Sequence, residues 1–184
     1  VQSSGNLTGS RITGTAPPED CKKFAVFSGA VCTNVGGCAA CDHLVEQMPP
    51  ITTWGLNFVT VPYKTRVSDY FQVIAAEDNT TFYVNSIPYM LNAGQNMGLT
   101  FGDARYISSD KPIMVSQFSR GASCDNTSSD PFYIVLSPTE LTLNQITFNA
   151  FISSIITNYY LNVVTLTDSV GTVTLDGANI AGNF

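Results

Sequence analysis

The single imidazole among 184 residues, His43, sits in Cys41-Asp42-His43-Leu44-Val45-Glu46, so any hydrolytic chemistry available to the chain has to pass through it. A nucleophile triad needs a Ser or Cys held against that ring and a carboxylate orienting it from behind. Asp42 is adjacent in sequence and points elsewhere, and Phe27-Ser28-Gly29 lacks the leading glycine of a nucleophile elbow. His43 and Glu46 read instead as hydrogen-bonding groups of a cysteine-rich loop. One histidine cannot furnish a catalytic zinc site. Asp78 and Asp168, with Asn79, Thr80 and Ser169, are too few oxygen donors for calcium and fit turn chemistry better. Gly36-Gly37 is not followed by the Lys-Ser/Thr and helix of a phosphate cradle. The reading is of no catalytic residue, no metal and no cofactor: not an enzyme.

The cysteines carry more information. Cys21, Cys32, Cys38 and Cys41 fall close together and Cys124 stands apart. Cys38-Ala39-Ala40-Cys41 is a C-x-x-C, but no second pair stands at zinc spacing and no βαβ context suggests thiol redox work. All five are disulfide candidates, and the odd count leaves one thiol free or paired outside the segment. Three glycosylation sequons begin at Asn6, Asn79 and Asn126. Clustered cysteines with sequons point to an oxidising, extracellular setting, secreted or at a cell surface. A chain opening on Val1 without an apolar leader reads as a mature or trimmed product.

Charge narrows the partners. Only 12% of residues are charged and the net charge is −6. Nucleic acid and anionic lipid both require clustered cations, and the 8 Lys and Arg are scattered. The stretch 141–167 has no charge, but its asparagines and glutamine interrupt it too often for a spanning helix.

The elements that must position these groups read as strands. Residues 23–28, 58–61, 70–75, 81–84, 113–118, 132–136, 146–148, 159–164 and 172–175 are short, β-branched or aromatic, and bounded by turn residues. Residues 42–47 suggest at most a short helix capped by Asp42. The fold class is all-β, a sandwich-like domain. Three ordered echoes, Phe27 with Phe118, Tyr70 with Tyr159 and Thr81 with Thr172, recur at about 91 residues. They suggest two related units, 1–94 with the cysteine-rich loop and 95–184, packed as one compact domain.

Trp54, Phe148, Phe151, Tyr159 and Tyr160 are the candidate contact residues, although a tryptophan beside disulfides is commonly core. The uncharged stretch 141–167 could be interior, or it could pair with another chain, since nothing in 144–167 blunts a strand edge.

One long run is unusual: Val26-Phe27-Ser28-Gly29, Cys32-Thr33-Asn34-Val35, Cys41-Asp42-His43-Leu44-Val45-Glu46-Gln47-Met48-Pro49-Pro50, then Thr53-Trp54-Gly55-Leu56-Asn57-Phe58-Val59-Thr60. It continues in Tyr70-Phe71-Gln72-Val73-Ile74-Ala75, Lys111-Pro112-Ile113-Met114-Val115, Cys124-Asp125 and Asp130-Pro131-Phe132. These resemble the N-terminal domain of the IgGFc-binding protein family, over roughly residues 24–176. The resemblance implies a secreted module of mucus and surface proteins. Cys38 lies in an insertion outside the family pattern, so no disulfide pairing transfers. Residues 173–177 lead into further strands in the family, which implies a truncated, processed or short member. The expectation is a secreted glycoprotein module with a structural or adhesive role, contacting extracellular proteins or glycans. The alternatives are a subunit of a self-assembling extracellular fibril and a specific binder of a glycoprotein such as antibody Fc.

Overall fold

The computed structural model describes residues 2–20, 22–126 and 129–184. It forms two compact units, Val1–Phe148 and Asn149–Phe184. Eleven strands are present among the described residues: β1 Phe27–Thr33, β2 Asp42–Gln47, β3 Gly55–Thr60, β4 Asp69–Ala75, β5 Thr80–Val84, β6 Ile87–Leu91, β7 Asn96–Phe101, β8 Arg105–Ser119, β9 Tyr133–Val135, β10 Thr174–Leu175 and β11 Ala178–Asn179. A single turn of helix, α1, spans Ala122–Asp125. The chain is all-β, as its period-two patterning requires.

The first unit is organised around β8, whose 15 residues serve four antiparallel partners. β4 and β5 follow one another along one side of it, from Asp69 opposite Ser119 down to Val84 opposite Ile107. β7 and β6 follow one another along the outer side of β4 and β5. β3 and β9 share the opposite side of β8. The seven strands thus behave as a few long ones folded over at a common corner near residues 76–79, 92–95 and 110–112, the device by which a bent sheet closes on itself.

Polar groups suited to turns hold that corner. Asp78 Oδ1 accepts from Ala93 N at 3.0 Å, Asn92 Oδ1 from Asn79 N at 3.0 Å, and Asp110 Oδ1 from Thr81 N at 2.8 Å. Lys111 Nζ donates to the Asp78 carbonyl across the bend. Asn79 takes a left-handed backbone with φ of 52°, which asparagine tolerates better than most residues. Asp78 therefore acts as the turn residue its sequence suggests.

Folding the sheet over brings inward side chains from both ends into one cluster: Phe58, Phe71, Val73, Phe82, Ile107, Ile113 and Val115 are all buried. Phe71 and Phe101 stack at 4.1 Å between ring centroids across the β4–β7 pair. The alternation Phe71, Val73, Ala75 shows how strand period sorts these residues inward.

Two expectations are corrected. Residues 42–47 form strand β2, not a helix; Leu44 is the one buried residue of that strand, and registry with β1 from Phe27–Gln47 to Thr33–Asp42 decides its conformation. Residues 146–148 and 159–164 form no strand, and among the described residues no strand pairs with them. The internal repeat is not shown. The third echo does place two hairpins with left-handed two-residue turns, Asn85-Ser86 and Asp176-Gly177. The other echoes have no such match among the described elements: β4 has no strand at 159–164 to correspond to it, and Phe118–Cys124 runs from β8 into α1 while Phe27–Cys32 lies in β1.

Replacing Phe71 with Ala should cost about 3–5 kcal/mol by emptying a packed site. The same change at exposed Phe151 should stay within about 0.5 kcal/mol, with urea denaturation of both variants as the check.

Candidate interaction surface

The hairpin β1–β2 stands outside the seven-stranded sheet. Its inner face carries Leu44, which is buried, and its backbone is held where Tyr133 Oη donates to the Ser28 carbonyl at 2.7 Å. Burial first, and then the charge of Glu46, pushes the Tyr133 phenol up to about 12, so it stays a neutral donor. Gly29 is required here, because a Cβ would meet the Leu44 carbonyl oxygen at 1.8 Å.

Two disulfides fix the hairpin. Cys32–Cys41 closes its own ends, at a sequence separation of 9. Cys38–Cys124 ties its connecting loop to α1, at a separation of 86. The C-x-x-C is therefore split between two bridges. Cys21, the fifth candidate, lies outside the described residues. Ala39 N donates to Ser123 Oγ at 2.7 Å beside the second bridge, and Gly121 sits so close to the Ala39 carbonyl that a Cβ would approach it to 2.2 Å. Arg120 Nη2 contacts Cys124 Sγ at 3.0 Å.

Beneath this junction lies a polar cluster that the sequence did not disclose. Arg66 Nη1 and Asp125 Oδ2 form an ion pair at 3.0 Å with side chains 8% and 0% exposed. Asp125 also accepts from Val67 N at 3.0 Å, and Arg66 reaches the Arg120 carbonyl and Ser129 Oγ. Asp69 is fully buried; its Oδ2 accepts from Tyr63 N and Gln117 Nε2, each at 2.8 Å. Asp69 Oδ1 and Arg120 Nε have no hydrogen-bond partner among the described residues. Burial, followed by the neighbouring Asp125 charge, raises the Asp69 carboxyl above its ordinary range, against hydrogen bonds that pull it down. Desolvation likewise raises Tyr63.

With its inner face anchored, the hairpin turns Phe27, Val31, His43 and Val45 outward. Val31 is 85% exposed, Phe27 66% and Val45 55%. This is an apolar stripe with one imidazole at its edge, held on a braced two-stranded element. Beside it a cleft of about 380 Å³ opens between the end of β2 and the segment after β9, lined by Glu46, Met48, Pro49, Leu136, Pro138 and Leu141. The His43 backbone N–H donates to Asp42 Oδ1 at 2.7 Å.

The sequence-derived contact residues distribute differently. Trp54 is half-buried just before β3, with Nε1 donating to the Pro49 carbonyl at 3.2 Å, which makes it a support of the cleft wall. Phe148, Phe151, Tyr159 and Tyr160 are exposed, and Tyr159 Oη donates to the Phe151 carbonyl at 3.1 Å. Asn6, Asn79 and Asn126 are all exposed; two residues of the Asn126 sequon, Thr127 and Ser128, lie outside the described residues. Among the described residues no group of three or more His, Cys, Asp or Glu could hold a metal ion, and no helix is long and apolar enough to cross a membrane.

The described residues thus form a disulfide-braced, all-β scaffold with an outward strand face. The chain belongs to the IgGFc binding protein family, which it matches over residues 1–184. It is 30% identical to the human IgGFc-binding protein over 150 residues, 75% of this chain and 2% of that protein's length. No solved structure matches the chain significantly.

A carboxyl whose folded-state value is raised adds stability below about pH 4, its ordinary range, and loses that contribution as pH rises through the raised value. The stability of the native chain should therefore fall relative to Asp69→Asn between pH 4 and neutrality, measured by urea midpoints at each pH. A constant difference across that interval would refute a raised Asp69 carboxyl.

Proposed function

We propose that this chain is an extracellular, disulfide-braced glycoprotein module that acts by binding other proteins, in a structural or adhesive role, rather than by catalysis. The observation that carries the reading is the outward apolar face of β1–β2, with Phe27, Val31 and Val45 exposed on an element pinned by two disulfides. Exposed apolar side chains grouped on a rigid element mark contact sites in soluble proteins. Family membership supports a binding role, and the two bridges support an oxidising compartment. Exposed Asn6, Asn79 and Asn126 are the proposed points of N-glycan attachment, away from the outward stripe in sequence.

The human relative's name makes antibody Fc the first ligand to try, with mucus and matrix glycoproteins alongside it. A charge placed in the centre of an apolar contact is costly to desolvate. Val31→Asp should weaken binding to the captured partner at least about tenfold, or about 1.4 kcal/mol, without altering the thermal midpoint by much. Surface plasmon resonance against immobilised Fc and the glycoprotein panel reads this directly. Equal binding by Val31→Asp would remove the hairpin face from the reading; failure to bind any extracellular protein would remove the reading itself.

A further inference from the structure

The cleft of about 380 Å³ beside the hairpin has a chemistry distinct from that of the outward stripe. One wall is the end of β2 and the turn after it, with Glu46, Met48 and Pro49; the other is the segment after β9, with Leu136, Pro138 and Leu141. Strand period places Glu46 here: Leu44 is buried on the inner face of β2, Val45 is exposed on the outer one, and Glu46 returns inward, half-buried. Both walls are braced. Trp54 Nε1 donates to the Pro49 carbonyl at 3.2 Å, and Leu141 N donates to the Pro138 carbonyl at 3.0 Å. A cleft of this volume, held open by its own framework, is of ligand-binding size.

Its polar groups favour a donor-rich cation. Pro49, Pro50 and Pro138 have no backbone N–H to offer. No Lys or Arg is among the described residues that line the cleft. Glu46 Oε1 accepts from the neighbouring Gln47 N at 3.0 Å, and among the described residues Glu46 forms no ion pair. A carboxylate has about four lone-pair sites, so most of its accepting capacity remains open. The charge acts in the surrounding wall, where it is one of the causes that hold the Tyr63 and Tyr133 phenols protonated. Around it the lining is apolar.

We propose that this cleft receives an arginine side chain from the surface of a partner protein, its guanidinium on the Glu46 carboxylate and its methylene stem along Met48, Leu136 and Leu141. Charge complementarity selects a cation, in a chain whose net charge is −6. Arginine fits better than lysine, because its planar fork pairs with a carboxylate through two hydrogen bonds and is more weakly hydrated. Its long apolar stem suits Met48 and the two leucines, which a small cation would leave uncovered. The proposal rests on the reading that the chain binds proteins but not on the outward stripe, so Val31→Asp leaves it untouched.

The test is a nuclear magnetic resonance titration of the isotope-labelled whole chain with two capped tripeptides, acetyl-Leu-Arg-Leu-amide and its neutral counterpart with citrulline in place of arginine. The arginine peptide should shift the Met48, Leu136 and Leu141 methyl signals saturably, with a dissociation constant at least about threefold below that of the citrulline peptide. Added salt should weaken the first and leave the second unchanged. Glu46→Gln should abolish the preference for arginine, and its own spectrum shows whether the fold is kept; the contrast between the peptides on the native chain stands even if it is not. Equal binding of the two peptides, no saturable shift at those methyls, or a preference for arginine that survives in folded Glu46→Gln would overturn the proposal. A chain that captures extracellular proteins yet fails this titration loses the arginine site and keeps its binding role.

Discussion

The Cys38–Cys124 bridge is the constraint on which the proposed surface depends. A two-stranded hairpin by itself is marginal in water, and β1–β2 buries little beyond Leu44 of its own. Cross-linking across 86 residues removes far more freedom from the unfolded chain than closing 9, about 4.5 against about 2.5 kcal/mol on the chain-entropy model. The short bridge shapes the hairpin, and the long one decides where it sits. Ala39 to Ser123 and Tyr133 to Ser28 then complete the docking with hydrogen bonds that a free hairpin would offer to water.

The long bridge lands on α1, and α1 is itself held by the buried Arg66–Asp125 pair. A buried ion pair contributes little net stability but costs about 3–5 kcal/mol if broken, so it fixes a geometry more than it adds to the fold. The same logic covers Asp69 and Gln117, which bridge the loop around Tyr63 to the end of β8. The sheet supplies the apolar driving force through Phe71, Phe82 and Ile107, while the polar cluster sets the positions of the loops that carry the hairpin. Stability and positioning are thus assigned to different parts of the same unit.

Much of the sheet was legible in the sequence, because Phe71, Val73 and Ala75 alternate as a half-buried strand must and Asp78-Asn79 marks the corner. β2 was misread as helical because Asp42 resembles a cap and Leu44-Val45-Glu46 suits either conformation; only pairing with β1, twenty residues or fewer away, decides it. β6 and β7 lie outside the strands expected from sequence; they carry Pro88, which an edge strand tolerates, and Gly98, which makes room for the Tyr70 ring. The stripe of Phe27, Val31 and Val45 follows from period two only once β1 runs Phe27–Thr33, past the expected end at residue 28, and β2 is a strand. Arg66–Asp125 and Cys38–Cys124 could not be read at all, being contacts between residues 59 and 86 apart whose proximity exists only in the folded chain. The exposed aromatics of the second unit were legible as candidates because they lie in a stretch without charge, which no fold was needed to reveal.

Native-state hydrogen exchange tests the central claim most directly, comparing the oxidised chain with a Cys38→Ser, Cys124→Ser double variant. The β1–β2 amides should lose protection by at least about tenfold in the variant while β4, β5 and β8 keep theirs. Hairpin amides protected equally in both, or protection lost evenly across the whole sheet, would contradict a long-range bridge that positions the hairpin.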